Sequence, residues 1–199
     1  MKTKISGTLI VIIILATFLA GWATYPVIGN ARLAFGLPVA LVVLYGLWAL
    51  LPAVDPIAKG FPGFRYVYDF FWILLTAVLA YAYALELGVK LGWQVNILHA
   101  VIPVVAALIV IVGTLLPKIR RNWFFGIRTP WTLSSDEVWH ETHRFGRPIF
   151  IAAGVIILGG LFVPRDWSIG FIFAPTIIAS LIMVVYSYIV FQKSKRNSN

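Results

Sequence analysis

Six apolar runs, each about as long as a lipid bilayer is thick, constrain this chain more than any other feature. They cover residues 5–24, 33–51, 70–87, 95–116, 149–163 and 169–191. The hydrocarbon core of a bilayer is about 30 Å thick, and a helix of about 20 apolar residues crosses it. The runs are continuous, whereas barrel strands alternate apolar and polar residues. We therefore predict an all-α integral membrane protein with six transmembrane helices in a single polytopic domain, residues 1–199.

The composition agrees with a chain whose solvent is lipid. Apolar residues make up 61% of the sequence and charged residues only 12%. Lys2 and Lys4 precede the first run as they would in a signal peptide, but the run is longer than the usual apolar region of about 7–15 residues. We interpret it as a retained transmembrane helix. Cysteine is absent, which excludes disulfides and cysteine metal sites.

The basic residues predict the orientation of the chain. Thirteen of the sixteen Lys and Arg residues fall on one side if the termini share that side, against Arg32, Lys90 and Arg165 on the other. Cytoplasmic loops are enriched in Lys and Arg, so we predict that both termini and the loop 117–148 lie in the cytoplasm, with the protein in the plasma membrane. The net charge of +9 then reflects topology and attraction to lipid headgroups. Membrane lipids are predicted partners, and nucleic acid is not.

Charged residues are absent from the centres of the predicted helices. Asp69 and Glu86 lie at opposite ends of the third helix, and His99 lies near the outer end of the fourth. Ion-coupled transporters place ionisable groups at mid-membrane depth, so this pattern argues against a coupled pump. We interpret all three residues as interfacial anchors.

Prolines and glycines predict where helices bend or pack closely. Pro38, Pro103 and Pro175 are expected to kink or start helices, while the three prolines and two glycines of the inner connection 52–69 forbid a continuous helix there. The glycines of the fifth run favour close helix contact; they are Gly154, Gly159 and Gly160.

One long polar stretch, residues 118–148, interrupts the apolar chain, and we call it the signature segment. It holds six bases, three acids and two histidines. Ser134 and Glu137 have the S-x-x-E spacing of a capping box, which predicts a short amphipathic helix over about 135–145, between the fourth and fifth transmembrane helices.

Asp136, His140 and His143 recur on one face of this predicted helix. Two histidines and a carboxylate can hold zinc, but the spacing is not that of the H-E-x-x-H motif. A solvated face, or one hydrogen-bonded to neighbouring loops, is the better interpretation. No Ser-His-acid or paired-carboxylate arrangement is present either. We therefore predict no metal, no cofactor and no enzymatic activity.

The segment also carries a sequence motif of mixed residue types at fixed spacing. It reads Gly126-Ile127-Arg128-Thr129-Pro130-Trp131-Thr132-Leu133-Ser134, then Val138-Trp139 and Thr142-His143-Arg144. This motif closely resembles that of the SdpI family, membrane proteins named for immunity to a secreted toxin of sporulating bacteria. The resemblance covers the fourth helix through the sixth. The N-terminal part is divergent, since residues 25–30 replace a P-x-H-type motif of many members.

The resemblance implies a membrane immunity or signalling protein. It implies a peptide toxin as one partner and, as for the founding member, a cytoplasmic repressor that the protein docks. The implied binding residues are Gly126, Arg128, Thr129, Pro130, Trp131, Thr132, Ser134, Val138, Trp139, Thr142, His143 and Arg144.

Two other functions stay open at this point. Kinking prolines and the aromatic residues of the third helix are compatible with a small-solute transporter or channel; these aromatic residues are Phe71, Trp72, Tyr81 and Tyr83. An enzyme acting on a lipid-linked substrate would use the Arg and His side chains of the signature segment to grip phosphate.

Overall fold

The computed structural model of the chain describes residues 2–55 and 61–197, which form helices joined by short connections. No strand occurs within these two ranges. The α-helices are α1 (Lys2–Ile28), α2 (Ala31–Val54), α3 (Phe61–Lys90), α4 (Ile97–Leu115), α5 (Pro130–Ser134), α6 (Asp136–Leu158) and α7 (Arg165–Asn197). Short 3₁₀ turns follow α4 at Leu116–Lys118 and α6 at Gly159–Leu161.

The prediction of six membrane-spanning helices is confirmed, because six of these helices are long and apolar enough to cross a bilayer. Large aliphatic side chains along them face outward, such as Leu15 at 62% and Leu181 at 61% exposure. In lipid such exposure is favourable, and a helix satisfies all of its own backbone polar groups internally. The cytoplasmic placement of the termini stays a prediction.

Several helices extend beyond the apolar runs. α2 continues past Pro52 to Val54, and α3 begins at Phe61 with one non-helical residue, Phe64. The described part of 52–69 is thus not one continuous helix, as predicted, since Asp55 follows the end of α2 and Phe64 interrupts α3; residues 56–60 lie outside the described ranges. Pro52 cannot donate to the carbonyl of Trp48, four residues earlier, and the Tyr68 hydroxyl donates to that carbonyl instead at 2.7 Å.

The largest correction concerns the predicted loop helix, which is not a separate element. α6 runs without interruption from Asp136 to Leu158 and includes Pro148. The predicted helix 135–145 and the fifth transmembrane run are thus one helix. A proline removes one backbone donor and displaces one carbonyl. Since Pro148 lies where the polar sequence meets the apolar one, other donors can satisfy that carbonyl.

Within the first compact unit, which comprises Met1–Ala53 and Tyr68–Ala100, buried polar side chains join α1, α2 and α3. Asp69 is buried and accepts hydrogen bonds from Trp48 Nε1 at 3.0 Å and Ser6 Oγ at 3.3 Å. The Tyr83 hydroxyl donates to the carbonyl of Ala34. Asp69 is thus a buried junction of three helices, a role that its interpretation as an interfacial anchor did not include; Glu86 and His99 are exposed.

The second compact unit comprises Val54–Val67 and Val101–Asn199, and its helices approach closely at glycines, as predicted. A Cβ on Gly154 would lie 2.6 Å from Val110 Cγ2 of α4. Cβ atoms on Gly159 and Gly160 would lie 2.8 and 3.0 Å from atoms of Phe171 on α7. The absence of side chains at these positions lets α6 pack directly against both neighbours. The signature segment lies entirely in this unit.

Candidate functional site

The signature segment begins its helical part with two successive caps. The Thr129 hydroxyl accepts from the backbone N–H of Thr132 at 3.2 Å, while Thr132 Oγ1 accepts from that of Thr129 at 2.8 Å. This reciprocal box starts α5, with Pro130 in the first turn. α6 is then capped by Ser135, whose hydroxyl accepts from Val138 N–H at 3.3 Å. The predicted cap at Ser134 is therefore wrong by one residue, and the sequence analysis did not predict α5.

A buried histidine forms the centre of the segment. His143 is 1% exposed and stacks on Trp139, with the ring centroids 4.1 Å apart. Its Nδ1 lies 2.8 Å from the Trp139 carbonyl, and its Nε2 accepts from the backbone N–H of Ile127 at 3.0 Å. The two partners require a neutral ring with the proton on Nδ1.

This arrangement corrects the interpretation of the Asp136, His140 and His143 face as solvated. Asp136 and His140 are exposed, but the loop that ends at Ile127 covers His143. The alternative that this face is hydrogen-bonded to a neighbouring loop is confirmed for His143. Over the described ranges no three His, Asp or Glu side chains are grouped so that they could hold a metal ion.

Gly126 permits the approach of the loop to this histidine. Its φ is +97°, in the left-handed region that favours glycine. A Cβ at this position would also collide with His143 Nε2 and come within 3.2 Å of the Trp139 ring. Both the backbone angle and the space therefore require glycine here.

Asn122 organises the loop before Gly126. No sequence pattern predicts this role, because a polar residue in a loop is usually solvated. The side chain is fully buried. Its amide nitrogen donates to the carbonyl of Arg120 at 2.8 Å, and its oxygen accepts from the N–H groups of Phe124 and Phe125 at 2.8 and 2.6 Å. The amide nitrogen also donates to the carbonyl of Phe125 at 3.2 Å, so one side chain satisfies four backbone groups of a non-helical loop.

Two further contacts tie this loop to its surroundings. The indole N–H of Trp139 donates to the carbonyl of Ile119 at 2.8 Å. Buried Asp55 accepts from the backbone N–H of Trp123 at 3.0 Å. Asp55, which directly follows α2, thus lies against the signature segment.

Arg121 holds the loop against the start of α6. Its Nε donates to Asp136 Oδ1 at 2.6 Å, and its Nη1 donates to the carbonyl of Leu133 at 2.7 Å. The guanidinium thereby engages a carboxylate in the first turn of α6, where negative charge is favourable, and one of the last carbonyls of α5. Arg121 was not among the predicted site residues.

Trp131 joins the segment to α7. Its indole N–H donates to Ser187 Oγ at 2.6 Å, and its ring lies 5.3 Å from that of Tyr188 and 6.3 Å from that of Phe191. The 33 residues of α7 span about 50 Å at 1.5 Å per residue. Because this exceeds the thickness of the hydrocarbon core, the last turns of α7 are available to hold α5.

The predicted site residues thus divide into two groups. Six of the twelve are buried, namely Thr129, Thr132, Val138, Trp139, Thr142 and His143. Trp131 is half-buried, and the other five, which include Gly126, Pro130 and Ser134, are exposed. Arg128 and Arg144 are exposed. Arg128 Nη1 donates to the carbonyl of Trp123 at 2.6 Å, and Arg144 Nη1 lies 3.8 Å from Glu141 Oε1. These two arginines directly follow Ile127 and His143, the residues that join loop to helix.

Comparison with known proteins identifies this segment. Residues 118–187 match the SdpI/YfhL protein family. The resemblance to the SdpI family is confirmed. Over 119 residues the chain is also 29% identical to the immunity protein SdpI of Bacillus subtilis (strain 168), covering 58% of each protein. The chain thus aligns with little more than half the length of this relative. No solved structure matches the chain. Together with the six apolar helices, the match supports a multi-pass membrane protein.

Proposed function

We propose that this chain is an SdpI-like immunity protein of the plasma membrane that protects its host from a secreted antimicrobial peptide. The observation that carries the proposal is the match of residues 118–187 to the SdpI/YfhL protein family, together with the similarity to an immunity protein. The similarity covers 58% of each chain. Toxin protection is therefore a proposal for this protein and is not inferred from the name of the relative alone. The signature segment would face the cytoplasm, in agreement with the excess of basic residues on that side.

We further propose that the signature segment acts by binding a cytoplasmic regulator. Its buried core is fixed by hydrogen bonds such as Ile127 to His143. Arg128 and Arg144 project from this core at exposed positions. A guanidinium presents a planar fork of donors suited to carboxylates and carbonyl oxygens. The fitting partner is therefore a protein surface rich in acidic side chains or free carbonyls, and no catalytic step is invoked.

The proposal of immunity is tested by complementation. A Bacillus subtilis strain that lacks its own immunity protein SdpI is given either this chain or an empty vector, and both are exposed to medium from a toxin-secreting strain. The chain is expected to restore growth to the level given by the strain's own protein. A fluorescent C-terminal fusion verifies that the chain reaches the membrane. If the chain is inserted but the cells die like those with the empty vector, the proposal of immunity to this toxin is wrong.

A further inference from the structure

His143 can hold the loop before α5 only as a neutral ring. Its Nδ1–H donates to the carbonyl of Trp139 at 2.8 Å, and its Nε2 accepts from the backbone N–H of Ile127 at 3.0 Å. Neither backbone partner can exchange its role, because a carbonyl only accepts and an N–H only donates. An imidazolium has two donors and no acceptor. A proton on Nε2 would therefore face the Ile127 N–H, and the hydrogen bond would be lost.

The closed loop also keeps solvent from stabilising a proton on this ring. The side chain is 1% exposed. A Cβ on Gly126 would collide with Nε2, so the loop backbone lies directly against this nitrogen. A buried charge without water or a counter-ion is strongly unfavourable. Protonation of His143 thus requires that residues 119–127 first move away from α6.

The charges around His143 do not offset this cost. Among the residues that the structure describes, no carboxylate forms an ion pair with His143. The acids of the surrounding elements have other partners, in the pairs Asp55 with the Trp123 N–H, Asp136 with Arg121, Glu137 with Ser194 and Glu141 with Arg144. The remaining titratable groups of these elements are basic or phenolic: Lys118, Arg120, Arg128, His140, Arg147, Tyr186, Tyr188, Lys193, Lys195 and Arg196. A positive ring would therefore meet an excess of like charge.

We propose that His143 is a pH-sensitive switch for the loop 119–127, which closes on the neutral ring and is released when the pH falls at the membrane face that carries the signature segment. A solvent-exposed histidine has a pKa of about 6.5. Above this pH the released ring is neutral, and the full stability of the closed loop is present. Below it the released ring takes up a proton that the closed state cannot hold, so each further pH unit favours release about tenfold.

Release of the loop would alter the proposed docking surface. Arg128 directly follows Ile127, and its Nη1 donates to the carbonyl of Trp123 within the loop at 2.6 Å. Movement of residues 119–127 therefore displaces Arg128 relative to Arg144 on α6. Acidification would then weaken binding of the cytoplasmic partner. This consequence rests on the proposed function, whereas the switch itself does not.

Hydrogen exchange of the purified full chain in detergent measures the release directly. Amide protection factors, which correct for the effect of pH on chemical exchange, are compared for residues 119–127 and for α2 at about pH 7.5 and about pH 5.5. Protection of the loop is expected to fall about tenfold between these values, since protonated histidine outnumbers neutral histidine about tenfold at one pH unit below a pKa of about 6.5. Protection of α2, which belongs to the other compact unit, is expected to stay constant.

Two variants assign the effect to His143. H143Q retains a side-chain acceptor that does not titrate, and its loop protection is expected to be independent of pH. H140Q removes the exposed histidine of the same helix and is expected to keep the fall in protection. If H143Q does not fold, the unmodified chain and H140Q still decide the outcome.

Four results would each overturn the switch: constant loop protection in the unmodified chain, an equal fall in H143Q, loss of the fall in H140Q, or an equal fall in α2. No toxin or partner enters these measurements. Failure of the switch is therefore distinguishable from failure of the proposed function.

Discussion

The Nε2 atom of His143 accepts a hydrogen bond from the backbone N–H of Ile127 at 3.0 Å, so one buried side chain on α6 fixes the end of the loop before α5. The loop in turn covers the imidazole and keeps it from solvent. This reciprocal relationship explains why His143 is only 1% exposed although the helical pattern places it on a polar face. It also sets the positions of Arg128 and Arg144, which follow these two residues.

Replacing His143 with Phe should destabilise the protein although the size and stacking of the ring are retained. The Ile127 N–H would lose its acceptor in a buried position, which costs about 1–3 kcal/mol. Thermal unfolding in detergent measures the loss. His140, which is exposed on the same helix, supplies the matched control: H140F should leave the Tm nearly unchanged. Equal Tm values for H143F and the unmodified chain would show that the hydrogen bond contributes nothing.

Gly126→Ala should cost more than Gly92→Ala, although both glycines have a φ of +97°. Each substitution places a Cβ in the left-handed region, at a cost of about 1–2 kcal/mol. A Cβ at Gly92 meets nothing within 4 Å, whereas one at Gly126 collides with His143. The difference between the two Tm losses thus isolates the contact with His143. If the two variants unfold at the same temperature, the loop does not pack on His143 as described.

Trp131→Ala should lower the free energy of unfolding by about 3 kcal/mol. This is the lower end of the range for replacing a buried Phe or Trp with Ala, because the Trp131 ring is only half-buried. The substitution removes the hydrogen bond to Ser187 and the ring contacts to α7. Trp123 is 47% exposed, and its contacts to Asp55 and Arg128 use only its backbone. W123A should therefore be close to neutral in the same denaturation experiment. A neutral W131A would mean that α5 does not depend on α7.

The predicted orientation can be tested without background labelling because the chain has no cysteine. Gln94 and Ser134 are both exposed, and we expect a membrane-impermeant thiol reagent added to intact cells to label Q94C but not S134C. In lysed cells both should react. If S134C alone were labelled in intact cells, the predicted orientation would be wrong and the signature segment would face outward.

The six helices could be predicted because a continuous apolar run of bilayer length has few other stable structures. Their ends could not, since helix geometry continues into polar sequence where no hydropathy signal marks it, as in α6 from Asp136 to Pro148. The motif located the segment that matches the SdpI/YfhL protein family, but it did not predict which side chains of that segment are buried. The burial of His143 and Asn122 depends on contacts with a non-helical loop, and single-residue patterns do not specify such contacts.

In the proposed function, the buried core of the signature segment presents Arg128 and Arg144 to a partner. The most direct test is growth under toxin challenge in the complementation strain, with R128K, R144K and the unmodified chain expressed at equal membrane levels. Lys keeps the charge but lacks the planar fork, so each substitution should reduce protection while R165K, at an exposed base outside the segment, leaves it intact. If R128K and R144K each gave full protection, this role of the two arginines would be contradicted, and the residues that recognise the partner would lie elsewhere in the chain.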